Sequence, residues 1–267
     1  MGGLSRRATV LQKRRDAGPT VVVDAGDLFW KAARLPESRT AQQRVKAILQ
    51  LDAYALMGMD AMVPGEADLS LGVDWLSRAA TERNLPYVAA NLSCDGWEIP
   101  PHRVIERAGL RIALIGVVGM SNAGPCSARS TVPAVKQSVI DTADADLHIL
   151  ISHQDALQDD SISRSVPELD VIVNGHGRKL LQMPNQLEGG AIQLGAGTRG
   201  KKLGIAELGL VPSGSGFAIL GLTDRLVDQL QRALDRRERT AQRVDKARTD
   251  ETRKRAQSVL DRIDRQV

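Results

Sequence analysis

The hydrophobic positions in the first 155 residues follow two kinds of pattern. Short apolar runs that end at glycine or a polar residue predict buried strands, whereas apolar residues three or four positions apart predict helices. Helices are predicted over 4–15, 38–58, 73–84 and 133–143. Strands are predicted in 20–30, ending at Gly26-Asp27, in 60–68, which also holds a loop, over 85–93, and in 145–155, ending at Ser152-His153. Residues 103–119 contain two strand-like runs around Ala108-Gly109, which predicts a hairpin.

The later part of the chain changes character. Residues 162–179 predict a short helix and the strand Asp170–Val173, and residues 189–211 predict two strands around a glycine-rich turn. From Thr223 onward there is no Gly or Pro, which predicts a long charged helix. We therefore predict one domain, 1–222, with a helical tail, 223–267. The element order predicts an α/β (α+β) fold with a mixed sheet or two stacked sheets and helices outside.

Composition limits the classes of partner. Aromatic residues make up 3% of the 267 residues, so Val, Leu, Ile and Ala must build the core. The net charge of +4 comes from the tail, 223–267, which holds 13 Lys and Arg against 9 Asp and Glu. Binding to nucleic acid usually needs a one-sided basic face, whereas this tail interleaves both signs. The sequence therefore disfavours a nucleic-acid partner.

The sequence also bears on redox state and location. Cys94 and Cys126 lie outside any CxxC arrangement, and we expect two free thiols rather than a pair, although pairing stays open. No stretch approaches the ~18–20 apolar residues of a membrane span. The N-terminus is positively charged but lacks the apolar run of a signal peptide. We expect a soluble chain that stays where it is made.

Four predicted strands end in a residue able to bind a metal, and we call these four residues the rim. They are Asp27, Glu66, His153 and His176. If the strands lie side by side, all four side chains converge at one edge. Two imidazoles and two carboxylates suit a borderline divalent ion such as Mn, Fe, Zn or Ni. Such an ion polarises a phosphoryl oxygen and lowers the pKa of a bound water.

Each rim residue also has an ordinary structural interpretation. An Asp after a strand is usually a turn or helix-cap residue, and a His at a strand end is more often a hydrogen-bonded structural residue. The argument for metal depends on the recurrence of four such endings in one chain. The spacing of these residues alone leaves the choice open.

Successive blocks of the chain resemble a known family. These are GGLSRRATVL, VVVDAGDLF, VPGEADLSLG, LISHQD, VPELDVIVNGHGRK and GTRGKKLGIAELGL, in this order through residues 2–211. They resemble the calcineurin-like metallophosphoesterases, in particular the 5′-nucleotidase/2′,3′-cyclic phosphodiesterase group. The resemblance implies a metallophosphatase-like β-sandwich flanked by helices, a two-metal site at strand ends, and hydrolysis of phosphate esters.

Part of the family's metal pattern matches this sequence. Gly26-Asp27 matches the Gly-Asp block, which makes Asp27 the implied bridging carboxylate. His153 matches the lone His, and His176 matches the start of Gly-His-x-His. Glu66 stands where the family has a ligand Asn. The resemblance therefore implies one or two divalent ions, such as Mn, Fe or Zn.

Other parts of the pattern are missing. The final His of Gly-His-x-His is Arg178, the catalytic His of the third block is Ala67, and its carboxylate partner in nucleotidases falls at Ser70. The Asp-x-His block would precede Gly2, so we expect an N-terminally incomplete domain. Arg178 either holds a substrate phosphate in place of a second cation or is an exposed arginine after a turn.

Two functions remain open on this basis. One is a metal-dependent phosphoesterase acting on a small phosphate ester. The other is a non-catalytic metal- or ligand-binding module, in which the tail, 223–267, recruits a protein partner instead of being a solvated helix. The scarcity of aromatic residues disfavours a pocket that stacks a nucleotide base. Family members are often exported, so we expect a periplasmic or exported location if a signal segment is missing and a cytoplasmic one otherwise.

Overall fold

The computed structural model describes residues 3–30, 35–119, 122–123, 126–177, 180–198 and 200–209, with 240–242, 244 and 257. Arg178 and almost all of the predicted tail, 223–267, lie outside the described residues. The chain divides into two compact units, Met1–Phe217 and Ala218–Val267. The domain boundary at residue 222 stays a prediction, because the residues around it are not described.

The elements of the first unit are helices and strands in a mixed order. The helices are α1 (Leu4–Ala17), α2 (Glu37–Met57), α3 (Glu66–Leu69), α4 (Val73–Thr81), α5 (Thr131–Asp141) and α6 (Ala156–Ser165). The strands are β1 (Val23–Asp24), β2 (Ala61–Met62), β3 (Leu92–Cys94), β4 (His102–Arg107), β5 (Leu110–Val118), β6 (Asn122–Ala123), β7 (Cys126–Ala128), β8 (Leu147–His153), β9 (Val171–Asn174), β10 (Asn185–Gln186) and β11 (Ile192–Leu194). This composition confirms the predicted α/β class. None of the described helices combines the length and the apolarity needed to cross a membrane.

A six-stranded sheet forms the centre, in the order β10-β11-β9-β8-β5-β4. Its four inner strands, β11, β9, β8 and β5, are mutually parallel, and the two edge strands are antiparallel to their neighbours. All seven residues of β8 are buried, because a parallel sheet is covered on both faces. Leu150 faces a cluster with α5 and α6, whereas Ile149 and Ile151 face a larger cluster with α2 and α4.

Two smaller sheets complete the fold. β1 and β2 pair in parallel, and Tyr87 extends this pair by a parallel bridge to Met62. The third sheet has the order β3-β7-β6 and is antiparallel. The pair β1-β2 matters most for the site, because its carboxyl ends lie beside those of β8 and β9.

The predicted extents of the helices agree well with the structure. The buried face of α2 recurs every three or four residues, at Gln43, Ala47, Leu51 and Tyr54. The helix ends at Gly58, whose φ of 63° lies in the left-handed region that glycine adopts at helix ends. The hairpin of β4 and β5 is also confirmed, and its turn at Ala108-Gly109 has positive φ at both residues.

Several strand predictions were wrong in extent. The strand predicted from residue 20 does end at the turn of Gly26 and Asp27, but only Val23–Asp24 of it pairs in a sheet. The strand predicted over 85–93 starts only at Leu92. Of the two strands predicted in 189–211, the described residues contain only β11. The helix predicted after residue 162 already begins at Ala156.

The expectation of free thiols was also wrong, because Cys94 and Cys126 form a disulfide. They lie opposite each other in the antiparallel pair of β3 and β7. The bond therefore joins two neighbouring strands of the small sheet. The cysteines are 32 positions apart in the sequence, so local sequence patterns do not reveal this proximity.

Reduction of this disulfide is expected to lower the free energy of unfolding by about 3–4 kcal/mol, the loop-closure contribution for a loop of this length. Urea unfolding with and without a phosphine reductant measures the difference. The double variant Cys94→Ala/Cys126→Ala is the control, and its stability should not respond to the reductant. Equal stability of the oxidised and reduced wild-type chain would contradict the prediction.

Candidate metal centre

The rim residues meet at the carboxyl ends of four strands. Asp27 follows β1, Glu66 follows β2, His153 ends β8, and His176 follows β9. Because β8 and β9 are parallel neighbours, their ends bring the two imidazoles together. The structure thus places all four candidates in one cluster. Their role as metal ligands stays a prediction.

A sharp turn after β1 positions Asp27. Gly26 and Asp27 have φ angles of 91° and 57°, both in the left-handed region. The Oδ1 atom of Asp27 accepts a hydrogen bond from the backbone N–H of Ala67 at 2.9 Å. A Cβ at Gly65 would overlap both this carboxylate and the Asp27 backbone nitrogen. Glycine at position 65 therefore lets the two loops of the rim approach each other.

Asp68 links these two loops by hydrogen bonds to its carboxylate. Its carboxylate is 1% exposed and accepts the backbone N–H groups of Phe29 and Gly65, each at 3.0 Å. Burial raises the pKa of Asp68 to about 7, although the two N–H donors act in the opposite direction. Gln43 of α2 donates to the carbonyl of Phe29 and holds the same loop from the other side.

His153 is oriented by the backbone. Its ring is 1% exposed, and its Nδ1 lies 2.6 Å from the carbonyl oxygen of Ala25. A carbonyl only accepts, so Nδ1 carries the hydrogen and Nε2 points into the rim. Nε2 lies 3.1 Å from Oε2 of Glu66 and 3.5 Å from Oδ1 of Asp27. A hydrogen bond from the second ring nitrogen is the usual way a ligand histidine is held for a metal.

The charges at the rim are strongly coupled. Burial lowers the pKa of His153, but hydrogen bonds to Asp27 and Glu66 outweigh it and raise that pKa to about 10. The pKa of Glu66 falls to about 2, chiefly through its hydrogen bond with His153. The two carboxylates thus favour the protonated, positively charged form of the buried His153 imidazole. A bound divalent cation would supply that charge in place of the imidazole proton.

His176 completes the cluster on its exposed side. Its Nδ1 lies 3.3 Å from Nε2 of His153 and 3.6 Å from Oε1 of Glu66. Its other ring nitrogen lies 3.7 Å from Oδ1 of Asp155, a residue that the sequence patterns did not single out. Asp155 directly precedes α6, two positions after His153, and this spacing was the signal available in the sequence.

The donor atoms fit a metal ion. Glu66, His153 and His176 each offer one ligand atom, and these three atoms all lie within 4.8 Å of one another. Two imidazole nitrogens and a carboxylate oxygen suit Zn, Mn or Fe, and the Asp27 carboxylate stands beside them. The residues present could therefore hold one divalent ion.

The parts of the family pattern that the sequence lacks are also absent at the described rim. Ala67 is fully buried in α3, and the hydroxyl of Ser70 donates to its carbonyl at 2.6 Å. Neither residue offers an acid or base. Arg178, the predicted phosphate-binding residue, lies outside the described residues.

Asp24 is a partly buried carboxylate that the sequence patterns did not single out. It accepts hydrogen bonds from the hydroxyl of Tyr54 at 2.8 Å and from the backbone N–H of Gly26 at 3.0 Å. Burial raises its pKa, while these two donors lower it. Asp24 thus anchors the turn that presents Asp27. An acid ending the apolar run VVVD was the signal for it.

Known proteins with similar sequences carry the predicted activity class in their names. The chain is 24% identical over 213 residues to an uncharacterised metallophosphoesterase, YunD, of Bacillus subtilis, covering 74% of this chain and 44% of that protein. It is 25% identical over 197 residues to a snake venom 5′-nucleotidase of Gloydius brevicauda, covering 67% and 32%. No model of a known protein family matches the chain.

Solved structures share the fold. A 5′-nucleotidase precursor of Thermus thermophilus superposes with a TM-score of 0.61 at 18% identity, over 73% of this chain and 43% of the other. The calcineurin-like phosphoesterase YfkN of Bacillus subtilis superposes with a TM-score of 0.56 at 19% identity, over 72% of both chains.

The chain is a relative of the calcineurin-like metallophosphoesterases. This relationship confirms the predicted superfamily, its 5′-nucleotidase-like branch and the metallophosphatase fold. The chain spans less than half the length of the two sequence relatives. Divalent metals belong to this family, whereas the number and identity of ions in this chain stay predictions.

Proposed function

We propose that this chain is a metal-dependent phosphoesterase acting on a small phosphate ester. The observation that carries the proposal is the convergence of Glu66, His153 and His176, with Nδ1 of His153 held by the carbonyl of Ala25. When bound, a divalent ion supplies a polarised phosphoryl oxygen and a water of lowered pKa.

The residues at the site divide into the four rim residues and the carboxylates that support them. Glu66 and His153 would hold the ion from the buried side, and Asp27 would add a carboxylate oxygen. His176 is more exposed than His153, so it would face the substrate side of the site. Asp24 and Asp68 act as positioning residues, because they hold the loops that carry Asp27 and Glu66.

Arg178 is proposed to bind the substrate phosphate. A guanidinium can hold a phosphate by two parallel hydrogen bonds and would balance charge where a second cation is lacking. Its position in the sequence, two residues after His176, supports this role. One or two ions are compatible with the proposal.

Hydrolysis of p-nitrophenyl phosphate and bis-p-nitrophenyl phosphate tests the proposal directly. We expect turnover by the full chain with Mn²⁺, Fe²⁺ or Zn²⁺, and its loss after treatment with EDTA. The variant Asp27→Ala should fold and lose activity, because it removes a rim carboxylate. A series of nucleoside monophosphates then tests for nucleotidase specificity. Bound metal with no turnover of any ester would contradict the proposal.

A specific observation favours a second candidate, a non-catalytic metal- or ligand-binding module. Ala67 stands where the family pattern has its catalytic histidine, and the residue is fully buried. A proton donor for the leaving group is therefore lacking at that position, and general acid–base catalysis typically contributes about 10²- to 10⁴-fold. Stoichiometric metal without hydrolysis is the result this candidate expects.

The location and the partner are part of the same proposal. The disulfide between Cys94 and Cys126 supports an oxidising compartment, since such bonds persist mainly in exported proteins. This favours a periplasmic or exported location over a cytoplasmic one. A protein partner bound through 223–267 stays a prediction.

A further inference from the structure

A basic cleft lies between α1 and the segment 200–203, and none of the rim residues lines it. Its volume is about 110 Å³, several times the ~10–15 Å³ that a single water needs. Four of the side chains around it are cationic: Arg6, Arg7, Lys201 and Lys202. The other lining residues are uncharged: Val10, Gly200 and Leu203.

The guanidinium of Arg7 is held in place within this cleft. It donates to the hydroxyl of Tyr54 at 2.9 Å and to the carbonyl of Gly200 at 2.8 Å. A Cβ at Gly200 would overlap this guanidinium, and the φ of 53° at Gly200 also favours glycine. The backbone is thus shaped around Arg7. A guanidinium has five N–H donors, so these two contacts leave donors for an anion.

The charges of the side chains around the cleft also favour a bound anion. Among the described residues that line it, none carries an acidic side chain. Glu207 is paired with Arg14 at 2.7 Å, and Arg14 lies seven residues along α1 from Arg7. Asp24 attracts the Arg7 guanidinium and offsets part of its charge, whereas Lys201 and Lys202 are exposed. A bound anion would be attracted by the positive charge of these lysines.

We propose that this cleft binds the phosphate groups of a small anion at a site separate from the metal rim. The ligand class is a compact, multiply charged phosphate, either free pyrophosphate or the diphosphate part of a nucleotide. Fixed arginine N–H groups and flexible lysine ammonium groups are the usual donors for such anions. The inference does not depend on the proposed hydrolase activity.

Calorimetric titration of the full, EDTA-treated chain with pyrophosphate at low salt tests the proposal. We expect saturable binding to one site per chain that weakens as NaCl rises. The variant Lys201→Glu/Lys202→Glu should raise the dissociation constant by about tenfold or more, because it replaces two attractive charges with repulsive ones. Lys136→Glu, at an exposed position on α5, is the matched control and should change it by less than about twofold.

Further arms separate the outcomes. Gly200→Ala should weaken binding by displacing Arg7, with circular dichroism checking that the variant folds.

Equal affinity for ADP and pyrophosphate supports recognition of the phosphates, and tighter ADP binding supports a nucleotide. Absence of pyrophosphate binding, or equal binding by Lys201→Glu/Lys202→Glu, overturns the proposal. Binding of a single-stranded oligonucleotide without pyrophosphate binding also overturns it, in favour of a polyanion surface. Because metal-free protein is used throughout, the result does not depend on whether the rim binds a metal.

Discussion

Replacing His153 with alanine is expected to lower the affinity of the protein for Mn²⁺ or Zn²⁺ by at least about 100-fold. Nε2 of His153 is the rim atom closest to both carboxylates, at 3.1 Å from Glu66 and 3.5 Å from Asp27. Removing even a group that only supports a ligand costs about 10- to 100-fold in metal affinity, so loss of a ligand should cost more. Metal content by mass spectrometry after dialysis, followed by calorimetry, measures the effect.

His102→Ala is the matched control, because it also removes one histidine. His102 begins β4, the edge strand that is separated from β8 by β5, and it is not part of the cluster of metal-binding side chains at the rim. The metal content of this variant should equal that of the wild type. Circular dichroism of both metal-free variants checks the fold. Unchanged metal content in His153→Ala would mean that the rim is structural and that any metal binds elsewhere.

Replacing Asp159 with alanine is expected to lower the free energy of unfolding by about 3 kcal/mol. This carboxylate is fully buried and accepts hydrogen bonds from four side chains: Ser152, Gln154, Asn174 and Gln193. Alanine would leave those buried donors without their acceptor, and each unsatisfied donor costs about 1–3 kcal/mol before the surroundings relax. Urea unfolding followed by circular dichroism measures the loss.

The neighbouring Asp160→Ala is the control for this prediction. Its carboxylate is partly exposed and pairs with Arg164 at 2.6 Å within one helix, an interaction worth about 0.5 kcal/mol or less. A loss below about 1 kcal/mol in Asp159→Ala would show that the donors find other partners. Because Asp159 links β8, β9 and β11, the variant should also loosen the strand ends that carry His153 and His176.

These two variants distinguish the loss of a metal ligand from the loss of a residue that stabilises the strands of the rim. His153 acts through Nε2, so its loss should change metal affinity more than the stability of the metal-free chain. In the described part of the chain, the donors to Asp159 are sequence neighbours of His153 and His176 and one side chain of β11. The two imidazoles are not among these donors. Loss of Asp159 should therefore appear first as lower stability.

The helices and the hairpin could be predicted because their signals are local. The helix predicted over 38–58 corresponds to α2, and the turn at Ala108-Gly109 corresponds to the link between β4 and β5. The apolar stripe expected for that helix was only partly right, because Leu51 and Tyr54 are buried whereas Val45, Leu49 and Leu56 are exposed. Strand extents were less predictable. The run TVVVDAGDLFW contains a strand-like apolar segment, but only two of its residues find a partner in β2. Whether a residue pairs depends on a distant strand, which local periodicity does not describe.

Contacts over long sequence separations were missed for the same reason. The disulfide joins residues 32 positions apart, and Asp24 accepts a hydrogen bond from the hydroxyl of Tyr54 in α2. The four donors to Asp159 come from three different strands and the turn after β8. Such polar networks have no spacing rule within the chain, because each partner is brought in by a separate element.

The sequence by itself determined which residues stand at the strand ends. Asp27, Glu66, His153 and His176 each follow an apolar run, and that order is a local property of the chain. Only the tertiary structure decided that these ends meet and that the carbonyl of Ala25 turns Nε2 of His153 toward Glu66. It also decided that Gly65 leaves room for Asp27. The reason is physical: donor distances of 3–4 Å arise from packing of separate strands, whereas sequence patterns report only the burial of each strand alone.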